Sequence, residues 1–392
     1  MKGTVVLGMV GAGRATEIHM QALGYVQSVY VRKKTIMAGH SETAKRGQMR
    51  YEFEQIVDEF DEMLKDPEID VIDICSPPYT HEDYVIRALE AGKYVICEKP
   101  LTAYFGKHGD ENPIGKAVSK SVMYERVLSS LENLTDVVKR HPGKFMYAEN
   151  YVYAPAIQKA AEIIRKKGSK ILCIKGEESL KGSSSRFAGE WNKTGGGTFT
   201  RTGSHPLSAI LWLKTVEAQT AGKDICVSSV IADMAQITPS LNSYEHRHIA
   251  ARPNDVEDFG TAVLTFSDGT KGIVIATDTL LGGSKNYVEI YCNDATIYCT
   301  LTMNNSLSTY FLDEDHLDDV YISEMLPTKT GWNNPFLVDE IMRGYVNEMQ
   351  DFMECIVSGR EPLSNFQLAY DTAKITYAAY VAGETGEKIS LM

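Results

Sequence analysis

The chain has no stretch basic enough to hold a polyanion. Its 40 Lys and Arg are outnumbered by 52 Asp and Glu, giving a net charge of −12 over 392 residues. The densest basic run is the short Arg32-Lys33-Lys34. Nucleic-acid binders need a basic face, so DNA and RNA drop out as partners. No apolar run approaches the length of a membrane span, which argues against a membrane partner. The opening MKGTVVLGMVGAGRA puts Lys2 ahead of an apolar run, as a signal peptide does. However, Gly8, Gly11 and Gly13 interrupt the run, and Glu17 and His19 follow at once. A strand entering a glycine turn is the better reading. The cysteines are few and unpatterned: seven, an odd number, with no C-x-x-C pair. Most lie in apolar runs such as VIDICS and YVICEK, where a free thiol behaves as a small hydrophobe. A reduced, cytoplasmic protein is expected. His246-Arg247-His248 lacks an acid or cysteine at ligand spacing, so no metal is expected. Internal repeats and low-complexity tracts are absent as well.

What is present is alternation. TVVLGMV (4–10), KTIMAG (34–39), DVIDICS (70–76) and YVICEKP (94–100) read as short buried strands. They are separated by helical patterns at 17–23, 52–69 and 81–93. Strand–helix–strand repetition with short connections predicts a doubly wound parallel sheet with helices on both faces. The polar, aperiodic AYFGKHGDENPIGKAVSKS (103–121) breaks this rhythm as an insertion, either a lid or a plain surface loop. After a helix at 123–141 and a strand at 144–153 the grammar changes. KILCIKGEES, GTAVLTFSDGTKGIVIATDTL and YVEIYCNDATIYCTL follow one another through Asp-Gly and Asn-Asp turns, which is the pattern of hairpins. Two amphipathic helices, 345–359 and 366–384, close the chain. The expected architecture is α/β: a Rossmann domain over 1–150, then an α/β domain over 151–392 with a large open, mixed and mostly antiparallel sheet.

Gly11-x-Gly13 lies between the first strand and the first helix. One glycine permits the tight turn, and the other lets backbone N–H groups approach a pyrophosphate at the positive helix end. Thr16 stands where the fingerprint has its third glycine. No acid stands at the tip of the second strand, where Gly39-His40-Ser41 is followed by Lys45 and Arg46, so NAD and NADP remain open. Downstream, CEKPL (97–101) ends a parallel strand at the edge where such sheets bind ligands. A positively charged nicotinamide beside Lys99 would ease loss of its proton. Read alone, Glu98-Lys99 is equally a surface ion pair of little weight.

The order G-x-G, then CSPPYTHEDYVIRALEAGKYVICEKPL, then GGGTFTRTGSHP (195–206) resembles the Gfo/Idh/MocA oxidoreductase family. AENYVYAP (148–155) and the closing helical segment are similar to it too. Only 103–121 and parts of 225–255 and 305–335 fall outside the resemblance. The resemblance implies NAD(P) in the first domain, a carbohydrate-like substrate at the domain junction, and a dimer or tetramer formed through the second sheet. It also implies closing helices that return to the first domain. By position it assigns Gly11, Ala12, Gly13, Arg14, His40, Ser76, Pro77, His81, Glu98 and Lys99 to the cofactor. It makes Lys99 a contact of both nicotinamide ribose and substrate hydroxyl, and His205 the acid/base. Histidine suits proton transfer near neutral pH. Gly195–Gly197 would let the backbone approach substrate or nicotinamide, and Gly203 would permit the turn that aims His205.

Arg201 departs from the family, which usually carries an aspartate there and another acid where this chain has Ser208. A guanidinium offers a planar donor fork, so Arg201 is expected either to clamp an acidic or glycosidic substrate or to bridge Glu177 or Glu178. Tyr151, Tyr153, Trp191 and Tyr287 are candidates to stack on a sugar ring, with a place in the core as the alternative. The expected activity is hydride transfer between a secondary alcohol of a sugar, polyol or glycoside and nicotinamide. The alternatives are transient oxidation with a retained cofactor, as in epimerisation or glycoside cleavage, and a non-enzymatic NAD(P)-binding sensor.

Overall fold

The computed structural model describes residues 3–302, 307–322, 326, 328–335 and 338–391. Lys2 lies outside them. Of the 305–335 stretch, the described part holds only a small hairpin, β13 and β14 below. The first half runs β1 (Gly3–Val10), α1 (Arg14–Leu23), β2 (Val29–Met37), α2 (Ser41–Tyr51), β3 (Gln55–Ile56), α3 (Phe60–Lys65), β4 (Val71–Ile74), α4 (His81–Glu90) and β5 (Tyr94–Glu98). It continues through α5 (Ile114–Ala117), α6 (Lys120–Arg140) and β6 (Phe145–Ala148). These strands form one parallel sheet in the order β3-β2-β1-β4-β5-β6. β4 is buried at every position because helices cover both faces.

The second half runs α7 (Pro155–Lys167), β7 (Ile171–Ser179), α8 (Trp191–Thr194), α9 (Ser204–Ala221), β8 (Val227–Ala235), β9 (Phe259–Phe266), β10 (Lys271–Thr277), β11 (Lys285–Cys292) and β12 (Thr296–Thr300). After them come β13 (Thr309–Phe311), β14 (Gly331–Asn333), α10 (Asp339–Met342), α11 (Tyr345–Ser358), α12 (Phe366–Thr385) and β15 (Ile389–Ser390). Its sheet has the order β12-β11-β7-β10-β9-β8-β15, antiparallel except where β7 meets β10. Period-two burial along β9, β10 and β11 gives the sheet one covered and one open face. α9 lies on the covered face so closely that a Cβ on Gly176 would stand 2.6 Å from Pro206. α11 packs on α1 and α12 on α6, so both closing helices touch the first domain.

Two local expectations change. The helix expected over 52–69 is a short strand and a separate helix. Glu52 turns the chain with φ 61°, Gln55–Ile56 pairs with β2, and α3 begins only after the reciprocal cap between Glu59 and Glu62. Apolar residues from both pieces mimicked one helical stripe. The 103–121 insertion is exposed over 106–109 and 111–113 but anchored on either side of that stretch. Tyr104 is buried with its backbone N–H on the Tyr377 hydroxyl (2.7 Å), and the Gly115 N–H donates to Asp255 (2.9 Å). The insertion therefore fastens the first domain to the second.

Candidate active site

A cavity of about 850 Å³ opens at the C-terminal edge of the parallel sheet, where ligands of such sheets sit. Gly11, Ala12, Gly13, His40, Ser76 and Pro77 line it, and Arg186 and Phe187 from the second domain form its far wall. Gly11 has φ 112°, and a Cβ there would lie 2.5 Å from the Cys75 carbonyl oxygen. A Cβ on Gly13 would meet nothing within 4 Å, because the space beside it belongs to the cavity. The first turn of α1 thus presents its N–H groups to open volume, and these residues fit a dinucleotide pyrophosphate. Thr16 is fully buried under that turn.

Other residues assigned to the cofactor act from behind the wall or away from it. His81 is buried, with Nδ1 2.8 Å from the Pro100 carbonyl and Nε2 2.9 Å from that of Ser76, so it ties the ends of β4 and β5 together. Arg14 points outward on α1 and pairs with Glu17 at 2.8 Å. Glu98 turns inward, accepting the Lys99 N–H at 2.9 Å and facing His19 Nε2 at 3.4 Å. Burial pushes the Glu98 carboxyl up, but the hydrogen bond from His19, then the charges of His19, Lys99 and His205, bring it to about 2.

Lys99 and His205 come together across the domain junction. The Lys99 ammonium donates to the carbonyl oxygen of Arg201, one helical turn before His205. That turn is a π-helical segment, Phe199–Gly203, which runs directly into α9; such bulges are frequent at functional sites. His205 is buried, with Nδ1 2.7 Å from Glu149 Oε1. Among the described residues its Nε2 has no hydrogen-bond partner. The Tyr151 ring stacks on the imidazole, with centroids 5.0 Å apart and planes at 20°.

The glycines before His205 serve packing. A Cβ on Gly197 would lie 1.9 Å from the Glu257 carbonyl oxygen, and one on Gly196, whose φ is 146°, would lie 2.3 Å from the Tyr380 hydroxyl. The loop is pinned because Glu257 accepts the N–H groups of Gly197 and Phe199, each at 2.9 Å. Gly203 is no turn: it is helical and lies against Ala276 and Phe199.

Three further expectations are corrected. Arg201 does not reach Glu177 or Glu178; its guanidinium pairs with Asp278 just beyond the end of β10. Glu177 pairs instead with Lys285, and Glu178 with Arg343 and the Tyr151 hydroxyl. Tyr153 is interior, its hydroxyl donating to Asp351 (2.8 Å) and accepting the Ser364 N–H (3.0 Å). Trp191 is interior as well, its indole N–H on the Tyr104 carbonyl (3.1 Å) and its ring against Tyr380. Ser208 hydrogen-bonds Thr372 on α12. Glu149 and Tyr151 both lie in AENYVYAP (148–155), yet no role was expected for Glu149, and Tyr151 was expected only to stack on a sugar ring. The available signal for Glu149 was an acid directly after a parallel strand, on the same sheet edge as Lys99.

Among the described residues, His19, Asp73 and Cys75 alone cluster closely enough to suggest a metal site. They are buried and bonded to one another, with His19 Nδ1 2.9 Å from Asp73 and 3.3 Å from the Cys75 sulfur. Burial works against a charged His19, yet Asp73 and Cys75 hold its pKa well above the ordinary histidine range. The set is a buried ion pair with a thiol attached. His246 lies on an exposed turn, 2.9 Å from Arg252.

Comparison with known proteins accords with this geometry. Residues 5–109 match the family model described as an oxidoreductase family with an NAD-binding Rossmann fold, and residues 175–298 match the GFO/IDH/MocA C-terminal domain. Levoglucosan dehydrogenase of Pseudarthrobacter phenanthrenivorans is 24% identical over 94% of this chain and 93% of its own. Inositol 2-dehydrogenase of Acidothermus cellulolyticus is 33% identical over 25% of this chain and 28% of its own. Among solved structures, GenD2 from gentamicin A biosynthesis in complex with NAD superposes with a TM-score of 0.78, at 19% identity over 100% of this chain and 97% of the other. Levoglucosan dehydrogenase in complex with NADH and levoglucosan superposes at 0.72, with 19% identity and 99% of both chains covered. At that identity the superpositions show the fold.

Proposed function

The chain belongs to the Gfo/Idh/MocA oxidoreductase family, and from that premise we propose that it transfers hydride between a secondary alcohol of a sugar, polyol or glycoside and NAD(P). The observation that carries this is the convergence of Lys99 and His205 at the sheet edge that also opens the dinucleotide cavity. A bound dinucleotide supplies the hydride acceptor. Gly11 and Gly13 leave room for its pyrophosphate, and Ser76 and Pro77 border it. Lys99 steadies the substrate hydroxyl, and His205 takes the hydroxyl proton at Nε2. The named activities of the two dehydrogenase relatives support a polyhydroxylated substrate.

The open face of the second sheet supports assembly as a dimer or tetramer. Ile231, Val263, Ile273, Lys175, Glu289 and Tyr298 stand in one row across five pairings, on the face away from α9. A mass in solution of a single 43.5 kDa chain would overturn that. The seven unpaired cysteines support a reducing compartment, and among the described residues no helix is long and apolar enough to cross a membrane.

The deciding experiment adds NAD and NADP separately to pooled sugars, inositols, uronic acids and glycosides and follows absorbance of the reduced nicotinamide. A rise with one pool, lost in Lys99→Met, is expected. Flat traces with every pool and both nucleotides would overturn the reading.

A further inference from the structure

We propose that Glu149 is the residue that positions and activates His205, acting through Nδ1 from the first domain. This inference rests on His205 being the base of the proposed reaction. Glu149 follows β6 directly, and because Glu98 registers with Ala148, Glu149 and Lys99 are neighbours at the ends of adjacent strands. Its side chain is completely buried, with Oε1 2.7 Å from His205 Nδ1. Oε1 otherwise accepts only the Tyr151 N–H, at 3.4 Å, and Oε2 has no partner among the described residues. A buried carboxylate whose short hydrogen bond goes to that imidazole alone has one evident use here, to hold it.

Three consequences follow. An ionised carboxylate only accepts, so the imidazole carries its hydrogen on Nδ1 and turns its lone pair outward on Nε2. The Tyr151 ring fixes the imidazole plane and is itself tethered by its hydroxyl to Glu178, which also meets Arg343. Finally, the buried negative charge compensates the imidazolium formed on proton transfer, which the nearby Lys99 cation opposes. Arg201 exerts no such pressure, because Asp278 neutralises it. From the other side α11 presents Glu348, fully buried with both oxygens unpartnered. Burial pushes the Glu348 carboxyl well above the usual range, against the charge of His19 and with those of Glu98, Glu149 and Asp73.

In the oxidising direction the substrate carbon gives its hydride to the nicotinamide, the C=O bond forms, and the hydroxyl proton moves to Nε2. The Nδ1–H stays on Glu149, so charge and protons balance within the pair.

Glu149→Gln keeps the shape and removes the charge. Loss of about 10²–10⁴-fold in kcat is expected, the range for a disabled general base. KM and dinucleotide binding should change little, and the acid-side fall of kcat/KM should move to lower pH. In a His205→Ala background the same substitution should cost nothing further, as expected for groups acting as a unit. Unchanged kcat and pH profile in Glu149→Gln, with His205→Ala inactive, would overturn this inference alone. Full activity in His205→Ala would overturn the assignment of His205 as the base, whereas flat traces in the unmutated protein would overturn the proposed function itself. A measurement on the unmutated protein stands independently of folding. ¹⁵N-histidine spectra, with His205 assigned by difference, should show the Nδ1–H tautomer, and an Nε2–H tautomer would refute the role of Glu149.

Discussion

Replacing Arg201 by methionine separates a structural bridge from a substrate clamp. Arg201 and Asp278 are 17% and 5% exposed in their side chains, so the pair is largely removed from water. Methionine would leave the Asp278 carboxylate with the Thr198 hydroxyl, at 3.2 Å, as its remaining side-chain partner. Breaking a buried pair from one side costs about 3–5 kcal/mol, because the surviving charge is left uncompensated. Burial already pushes Asp278 up despite Arg201, so in the variant it takes up a proton more readily still. The variant therefore loses less stability at pH 5 than at pH 8. Urea unfolding at both values, comparing midpoint times slope, reads this directly. Arg201→Met with Asp278→Asn removes both charges and should recover most of the loss, while KM stays near that of the parent. A stability loss under about 1 kcal/mol together with a KM raised tenfold would refute the reasoning and return the guanidinium to the substrate.

Tyr153→Phe deletes a hydroxyl that bridges Asp351 and the Ser364 N–H; unfolding should show a loss of about 1–3 kcal/mol, and steady-state kinetics an unchanged kcat/KM. Gly11→Ala forces a Cβ against the Cys75 carbonyl at a φ of 112°. It should abolish dinucleotide binding as followed by NADH fluorescence. Glu98, held at about 2 against an unfolded value near 4.5, contributes stability that is fully present above pH 4.5 and lost as pH falls through about 2. The contribution is on the order of 3 kcal/mol, and Glu98→Gln should flatten acid unfolding across that window.

The parallel sheet was legible because each of its strands is a short apolar run bounded by turn residues, and the hairpins because their turns are Asp-Gly and Asn-Asp. α2 was missed, since SETAKRGQMRY has almost no apolar stripe and buries only Ala44 and Gly47. α9 was missed for the opposite reason: it is buried on nearly all sides, so its sequence has no periodicity to read. At the site, the motifs assigned roles to Lys99 and His205, while Glu149 lay within AENYVYAP with no role attached. Its importance depends on a residue 56 positions away in the chain, brought to it by the domain junction. The counter-ion of Arg201 was hidden in the same way, because Asp278 becomes its neighbour only once β10 lies beside the π-helical turn. Trp191 and Tyr153 were read as rings that could stack on a sugar, and their committed N–H and O–H groups reveal them as interior.

The 103–121 insertion bears on how the molecule can move. It follows the strand that ends at Glu98, just before Lys99, and anchors on Tyr377 and Asp255, while Ala103 and Phe105 lie against Gly195 in the loop that leads to His205. A hinge at the junction would have to unzip these contacts before the two halves could rock apart. The end of the Lys99 strand and the loop before His205 are thereby fastened to one another, while Arg186 and Phe187 form an exposed margin of the dinucleotide cavity.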